Sequence, residues 1–211
     1  MPKVVSILNQ KGGSGKTTIA TNIACALQKL GDDVILVDAD PQGSARDWNE
    51  ANEASLIPVV GLDRETLPKD LKAISQGYDW VVIDGAPQIA KLSAAAVRAS
   101  DVILIPVQPS PYDIWACADL VDIIEARQEV TGGPPKAAFI VSRSIKNTKL
   151  SGEAAGALEE YGVPVFEHGT TQRVAYPTTA AEGRTVVDHP DSPASKEIMA
   201  IVQELKELVN A

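Results

Sequence analysis

Near the start of the chain, Gln10-Lys11-Gly12-Gly13-Ser14-Gly15-Lys16-Thr17-Thr18 carries the chemistry of phosphate binding. Glycines let successive backbone N–H groups turn inward on a phosphate, and a helix beginning near Lys16 would add the positive end of its dipole. The Lys16 ammonium can bridge β- and γ-oxygens, and Thr17 offers a hydroxyl to Mg2+; Gly12, Gly13, Ser14, Gly15 and Thr18 complete the cradle. The implied ligands are ATP and Mg2+. The usual pattern, GxxxxGK followed by Ser or Thr, wants glycine at position 10, where this chain has Gln10 followed by a second lysine, Lys11. Two ammonium groups a few ångströms apart repel, so Lys11 is not expected to share the phosphate held by Lys16; it is free to reach outward, to a nucleotide on another subunit.

Two apolar runs end in carboxylates. Val34-Ile35-Leu36-Val37 runs into Asp38-Ala39-Asp40-Pro41-Gln42, and Trp80-Val81-Val82-Ile83 into Asp84-Gly85-Ala86-Pro87. In a parallel sheet both would emerge at the edge where the phosphate loop lies. Asp84 suits Mg2+ held through its water shell, with Thr17 and Asp38 as the other metal candidates, and Asp40 is the candidate for orienting an attacking water. Phosphoryl transfer to water asks for positioning and charge neutralisation, so Lys11, Lys16 and Asp40 suffice as catalytic candidates without a nucleophilic side chain. His168 and His189 have no His or Cys at metal-ligand spacing.

The elements that must position these groups follow from periodicity. Lys3 to Leu8 is apolar and β-branched, as a strand covered on both faces would be, and Ile19, Ile23, Leu27 and Leu30 before Gly31 mark a helix after the loop. Further strands are expected at 34–37, 80–83, 102–105 and 137–141, with weaker ones at 57–60 and 163–166. Helices are expected at about 43–51, 64–76, 89–99, 112–130, 149–161 and 193–209. The expected fold is α/β: a mostly parallel, twisted sheet with helices on both faces, as one P-loop ATPase domain over 1–211. Pro106, Pro109 and Pro111 imply a strand ending in a rigid, extended loop.

A chain of 211 residues, 45% hydrophobic, can bury one sizeable core. Its net charge of −9 argues against coating nucleic acid with the whole surface, so a polyanion would have to meet a local basic patch. Cys25 and Cys117 form no CxxC pair, and no apolar run is long enough for a bilayer. A reducing cytosol is the expected compartment.

KGGSGKTT, VDADPQGS and VVIDGAP together resemble the deviant Walker A ATPases of the ParA/MinD superfamily, and most nearly the small ParF-like ParA partition ATPases. The resemblance implies an ATP-sandwich homodimer in which Lys11 reaches the partner's phosphates and Asp40 supports hydrolysis. It places Pro109, within Ile105 to Asp113, in the segment that shapes the adenine pocket and dimer contacts, and Thr171-Gln172-Arg173 is similar to a late segment of the group. ParF-like proteins lack an N-terminal DNA-binding domain, and here the strand containing Lys3 begins at the terminus.

ParA types bind DNA non-specifically when ATP-bound and are stimulated by a ParB-like adaptor. The matching candidates are Arg143, Lys146, Lys149 and Arg173, the first three within Val130 to Gly152, which holds no acidic residue. Four contacts per protomer in a dimer would give a log–log salt slope of about −7. The resemblance therefore implies a nucleoid-associated protein that segregates plasmid or chromosomal DNA, or one that positions protein cargo such as chemoreceptor arrays or carboxysomes. A MinD-like membrane anchor would need a basic tail, but Glu197, Glu204 and Glu207 outnumber Lys196 and Lys206 there, so no membrane partner is expected. A biosynthetic synthetase of similar fold is the reading from another class, and 211 residues leave it little room for a second substrate.

Overall fold

The computed structural model describes residues 1–87, 90–145 and 149–211, with the backbone alone for 149–151. Six parallel strands form one sheet in the order β3-β2-β4-β1-β5-β6: β1 Lys3–Ile7, β2 Val34–Asp38, β3 Val59–Gly61, β4 Trp80–Asp84, β5 Val102–Val107 and β6 Lys136–Val141. Every residue of β2, β4 and β5 is buried, which is why these strands read as unbroken apolar runs.

Alternation along each strand divides the core. Val5, Ile7, Leu36, Val82 and Leu104 face a layer built from α1 (Lys16–Lys29), α2 (Ser44–Glu50), α8 (Ala175–Ala181) and α9 (Pro193–Asn210). On the opposite face Val37, Ile83, Ile105 and Phe139 meet α3 (Leu67–Ile74), α4 (Ala90–Ala99), α5 (Pro111–Trp115), α6 (Ala118–Thr131) and α7 (Lys149–Glu159). Successive side chains of a strand point to opposite faces, so each strand serves both layers. The register sets Asp38 beside Asp84 and Ile7 beside Asp84, so β1, β2 and β4 deliver their ends to one edge.

Four expectations shift. The helix expected over 112–130 divides into α5 and α6 at Ala116–Cys117. There the Cys117 amide bonds to the carbonyl of Ile114, 3.1 Å away, while its thiol takes the carbonyl of Asp113 at 3.3 Å, and the Leu120 amide likewise bonds three residues back to Cys117 at 3.1 Å, so the regular i to i−4 ladder is broken. The strand expected at 163–166 reduces to a single bridge between Phe139 and Val165. Helix α8 was not expected: Pro177 stands in its first turn, where a missing N–H costs nothing, yet a proline in sequence reads as an interruption. Pro106 sits within β5 because β1 has left the sheet by that point, and the Pro106 carbonyl is taken instead by Asn9 Nδ2 at 2.8 Å.

Candidate nucleotide site

Between β1 and α1 the chain needs left-handed backbone at Gly13 and Gly15, with φ of 76° and 96°. Donors outside the loop hold its carbonyls. Gln108 Nε2 donates to Gly13 O at 2.8 Å, Arg143 Nη1 reaches the same oxygen at 3.4 Å, and Ser142 Oγ donates to Ser14 O at 2.7 Å. Because C=O and N–H oppose each other across a trans peptide, these contacts turn the Ser14 and Gly15 amides away from Gln108, Arg143 and Ser142. Lys16 is 7% exposed and its ammonium donates to the carbonyl of Lys11 at 3.0 Å. Burial pushes the Lys16 pKa down while Asp84 and Asp40 pull it back up.

The loop opens on a cavity of about 770 Å3 lined by Gly12, Gly13, Gly15, Lys16, Thr17 and Thr18. Asp40, Ser44 and Pro87 also line it, and so do Arg143, the stretch from Thr170 to Val174, Tyr176 and Pro177. Thr17 Oγ1 donates to Asp84 Oδ2 at 2.7 Å. The second oxygen of Asp84 is buried without a hydrogen-bond partner, and desolvation, reinforced by Asp38, pushes the carboxyl up to about 7 against the opposing hydrogen bond from Thr17. A hydroxyl beside a carboxylate with a free buried oxygen is a hard-oxygen donor pair, which fits a Mg2+ whose remaining ligands are water and substrate phosphate. Among the described residues no cluster of three or more His, Cys, Asp or Glu side chains forms a protein-only cage.

Asp38 is 0% exposed and both its oxygens are engaged by protein. Oδ1 accepts from the Asp40 amide at 3.0 Å; Oδ2 accepts from the Arg46 amide at 3.0 Å and from Arg46 Nε at 3.3 Å. It supports the aspartate loop, whereas Asp40 itself borders the cavity.

Lys11 and Pro109 are not among the residues lining the cavity. The Lys11 ammonium lies 3.7 Å from Asp113 Oδ2 at the start of α5. Arg143 and Arg173, expected as DNA contacts, both line this cavity. Arg143 adopts a left-handed backbone, φ 53°. Arg173 donates through Nε and Nη2 to Glu197 Oε1 at 2.9 and 2.8 Å. Lys146 lies outside the described residues, as does the side chain of Lys149, which begins α7.

Sequence reasoning missed Arg46, Ser142 and Glu197. Glu197 organises the far wall of the cavity: it also accepts from the Thr171 amide at 3.1 Å, Thr171 Oγ1 at 2.7 Å and Tyr176 Oη at 2.9 Å. No local pattern marks it, because its partners are 21 to 26 residues away. Both cysteine thiols are buried and pushed up to about 12, chiefly by desolvation, which leaves neither as a nucleophile.

Residues 5–186 match the model of the CobQ/CobB/MinD/ParA nucleotide binding domain. The chain belongs to this family. Within the ParA/MinD superfamily it is similar to Maintenance of carboxysome distribution protein A of Halothiobacillus neapolitanus, with 33% identity over 207 residues covering 95% of both chains. It is also similar to the chromosome-partitioning ATPase Soj of Thermus thermophilus, at 29% identity covering 95% of this chain and 96% of that one. Among solved structures, a Cyanothece McdA variant in complex with ATP superposes with a TM-score of 0.76 at 20% identity, covering 99% of this chain and 96% of that chain. The septum site-determining protein MinD of Pyrococcus horikoshii with Mg-ADP gives 0.76 at 18% identity, covering 99% and 97%. These two show the shared fold. No helix of the ParA/MinD-type chain, among the described residues, is long and apolar enough to cross a membrane.

Proposed function

We propose that this chain is an ATP-hydrolysing positioning protein whose ATP-bound homodimer distributes a protein assembly, in the manner implied by its carboxysome-distribution relatives. The observation that carries this reading is the 33% identity to the Halothiobacillus protein across 95% of both chains, taken with a phosphate loop and Asp40 lining one cavity, and with Asp84 bonded to the loop's Thr17.

The chain's own groups divide the work. The backbone amides of the glycine loop and the N-terminus of α1 receive the phosphates, and Lys16 neutralises their charge. Mg2+ bound with the nucleotide would be held by Thr17 and Asp84, with Asp38 behind them, and would polarise the phosphate being transferred. Asp40 orients the attacking water. Lys11, outside the cavity, is the group for the partner's nucleotide. A nucleotide-dependent dimer of this kind is a population switch: ATP stabilises one association state and its cleavage removes that preference. Non-specific DNA serves as the track, and an adaptor protein on the cargo stimulates turnover.

A second reading, segregation of plasmid or chromosomal DNA, is favoured by the similarity to Thermus Soj. Loss of the gene separates the two. Clumped or unevenly inherited protein assemblies with stable plasmids support cargo positioning, and plasmid loss or anucleate cells support segregation. In vitro, ATP turnover and fluorescence anisotropy on an arbitrary duplex, at two salt concentrations, test the common core. Salt-sensitive DNA binding with ATP and none with ADP is the expected result, and absence of ATP turnover under all these conditions overturns the reading.

A further inference from the structure

The backbone of Asp40 is held from both sides, and one side chain outside the cavity supplies one of the three bonds. The Asp40 amide donates to Asp38 Oδ1 at 3.0 Å. Its carbonyl accepts from the Gly43 amide at 2.9 Å and from Arg46 Nη2 at 3.0 Å. With its peptide groups fixed, Asp40 extends a carboxylate to the cavity and steadies it through the Gln42 amide, 3.0 Å from Oδ1.

Arg46, in the first turn of α2, does more than make one bond. Its Nε donates to Asp38 Oδ2, and Nη2 lies 3.6 Å from Asp63 Oδ2. The guanidinium thus joins the end of β2, the aspartate loop and the segment after β3. It lies against two glycines: a Cβ at Gly43 would come within 3.2 Å of Arg46 Nη2, and one at Gly61 within 2.9 Å of Nη1. A planar guanidinium fork suits this role, since it meets the carboxylate of the fully buried Asp38 and the Asp40 carbonyl at fixed angles.

We propose that Arg46 is a positioning residue for Asp40, holding the aspartate loop so that the carboxylate meets the attacking water, and that it governs the rate of ATP cleavage rather than ATP affinity. The proposal rests on Asp40 as the water-orienting group, as read above. Positional errors of about 1 Å at such a group lower rates about a hundredfold, whereas the loop amides and Lys16 that bind the phosphates do not touch Arg46.

The test compares Arg46→Ala, Arg46→Lys, Gly61→Ala and the Arg46→Ala/Gly61→Ala double variant with wild type, measuring kcat, KM for ATP and thermal midpoint. Hydrogen exchange at the Asp40 amide is followed in the nucleotide-free protein. Arg46→Ala is expected to lower kcat about ten- to a hundredfold with KM within about twofold of wild type, and to speed exchange at Asp40. Arg46→Lys, which keeps the charge and loses the fork, should recover part of the rate. Gly61→Ala should displace the guanidinium and lower kcat by itself, but add nothing once Arg46 is alanine. That non-additivity is a signature a merely stabilising arginine would not produce. Wild-type kcat in Arg46→Ala, losses in the double variant that simply multiply, or a rise in KM with kcat unchanged would each overturn the proposal. Asp40→Ala run beside them separates the layers. Fast turnover by that variant removes the reading of Asp40 and the proposal with it, while slow turnover by Asp40→Ala beside fast turnover by Arg46→Ala removes the proposal alone.

Discussion

Lys11 and Asp113 form an ion pair, Nζ to Oδ2 3.7 Å, on the outer side of the phosphate loop. Lys11 leaves the cavity to Lys16, as mutual repulsion of two ammonium groups requires, but in the isolated chain it is turned toward α5. Asp113 keeps its second oxygen buried and without a hydrogen-bond partner, so it competes for Lys11 with any phosphate the lysine would meet across a dimer. Partly exposed pairs of this kind contribute about 1 kcal/mol or less. Asp113→Asn should therefore lower the protein concentration needed for ATP-dependent dimerisation about two- to fivefold in sedimentation experiments at low salt. Lys11→Ala should bind nucleotide normally and fail to dimerise; normal ATP-dependent dimerisation by that variant would exclude a role across the interface.

Lys16→Ala tests the cavity itself. The ammonium is nearly fully buried, held near Asp84 and Asp40, and it donates to the Lys11 carbonyl. A charge-assisted hydrogen bond to phosphate is worth about 1.5–3 kcal/mol, so titration calorimetry with ATP and Mg2+ should show affinity weakened by about ten- to a hundredfold. Wild-type affinity would place the nucleotide somewhere other than this loop.

How much of this site was legible in the sequence depended on how far apart its parts are along the chain. The phosphate loop and the strand-end aspartates are contiguous motifs, and β2, β4 and β5 announce themselves because both their faces are buried. Arg143 and Arg173 were legible as cations, but not in direction. A left-handed backbone aims one at the Gly13 carbonyl, and Glu197 holds the other beside the cavity. The break before α6 turns on whether the Cys117 thiol or its amide takes the Asp113 carbonyl, which no periodicity reports. Arg46 lies only eight residues from Asp38, yet its meaning appears only when the segment after β3 is folded against it.

Glu197 provides the pH-dependent prediction. Burial alone would raise its carboxyl, but hydrogen bonds from Arg173, Thr171 and Tyr176 outweigh burial and hold the pKa below the ordinary 4.5. For a depressed acid, the stabilisation is present above the unfolded value and is lost as pH falls through the folded one. Glu197→Gln should lower stability by about 1–3 kcal/mol at neutral pH through loss of these charge-assisted bonds. Melting experiments should show the gap between variant and wild type constant above about pH 5 and closing below 4.5. A gap that stays unchanged down to pH 3 would mean that the ionised carboxylate contributes nothing to holding the wall from Thr171 to Tyr176.

Two glycines separate close packing from backbone freedom. At Gly169 the chain passes over the end of β6, and an added Cβ would strike the Val141 carbonyl oxygen and come within 3.1 Å of its carbon. Those are backbone atoms, and the same oxygen already accepts from the Thr170 amide at 3.0 Å, so the strain can be relieved only by moving residues that lead into the cavity wall. Gly169→Ala should therefore cost about 1–3 kcal/mol and lower the thermal midpoint by about 2–4 °C for each of those kcal/mol, with weakened ATP binding besides. Gly156 is the counterpart: it lies inside α7 with nothing within 4 Å of an added Cβ, so alanine there should stabilise by about 0.5–1 kcal/mol through helix propensity and leave ATP affinity unchanged. If both substitutions proved neutral, the close approach of residues 169–170 to β6 would not be what positions the wall from Thr170 to Pro177.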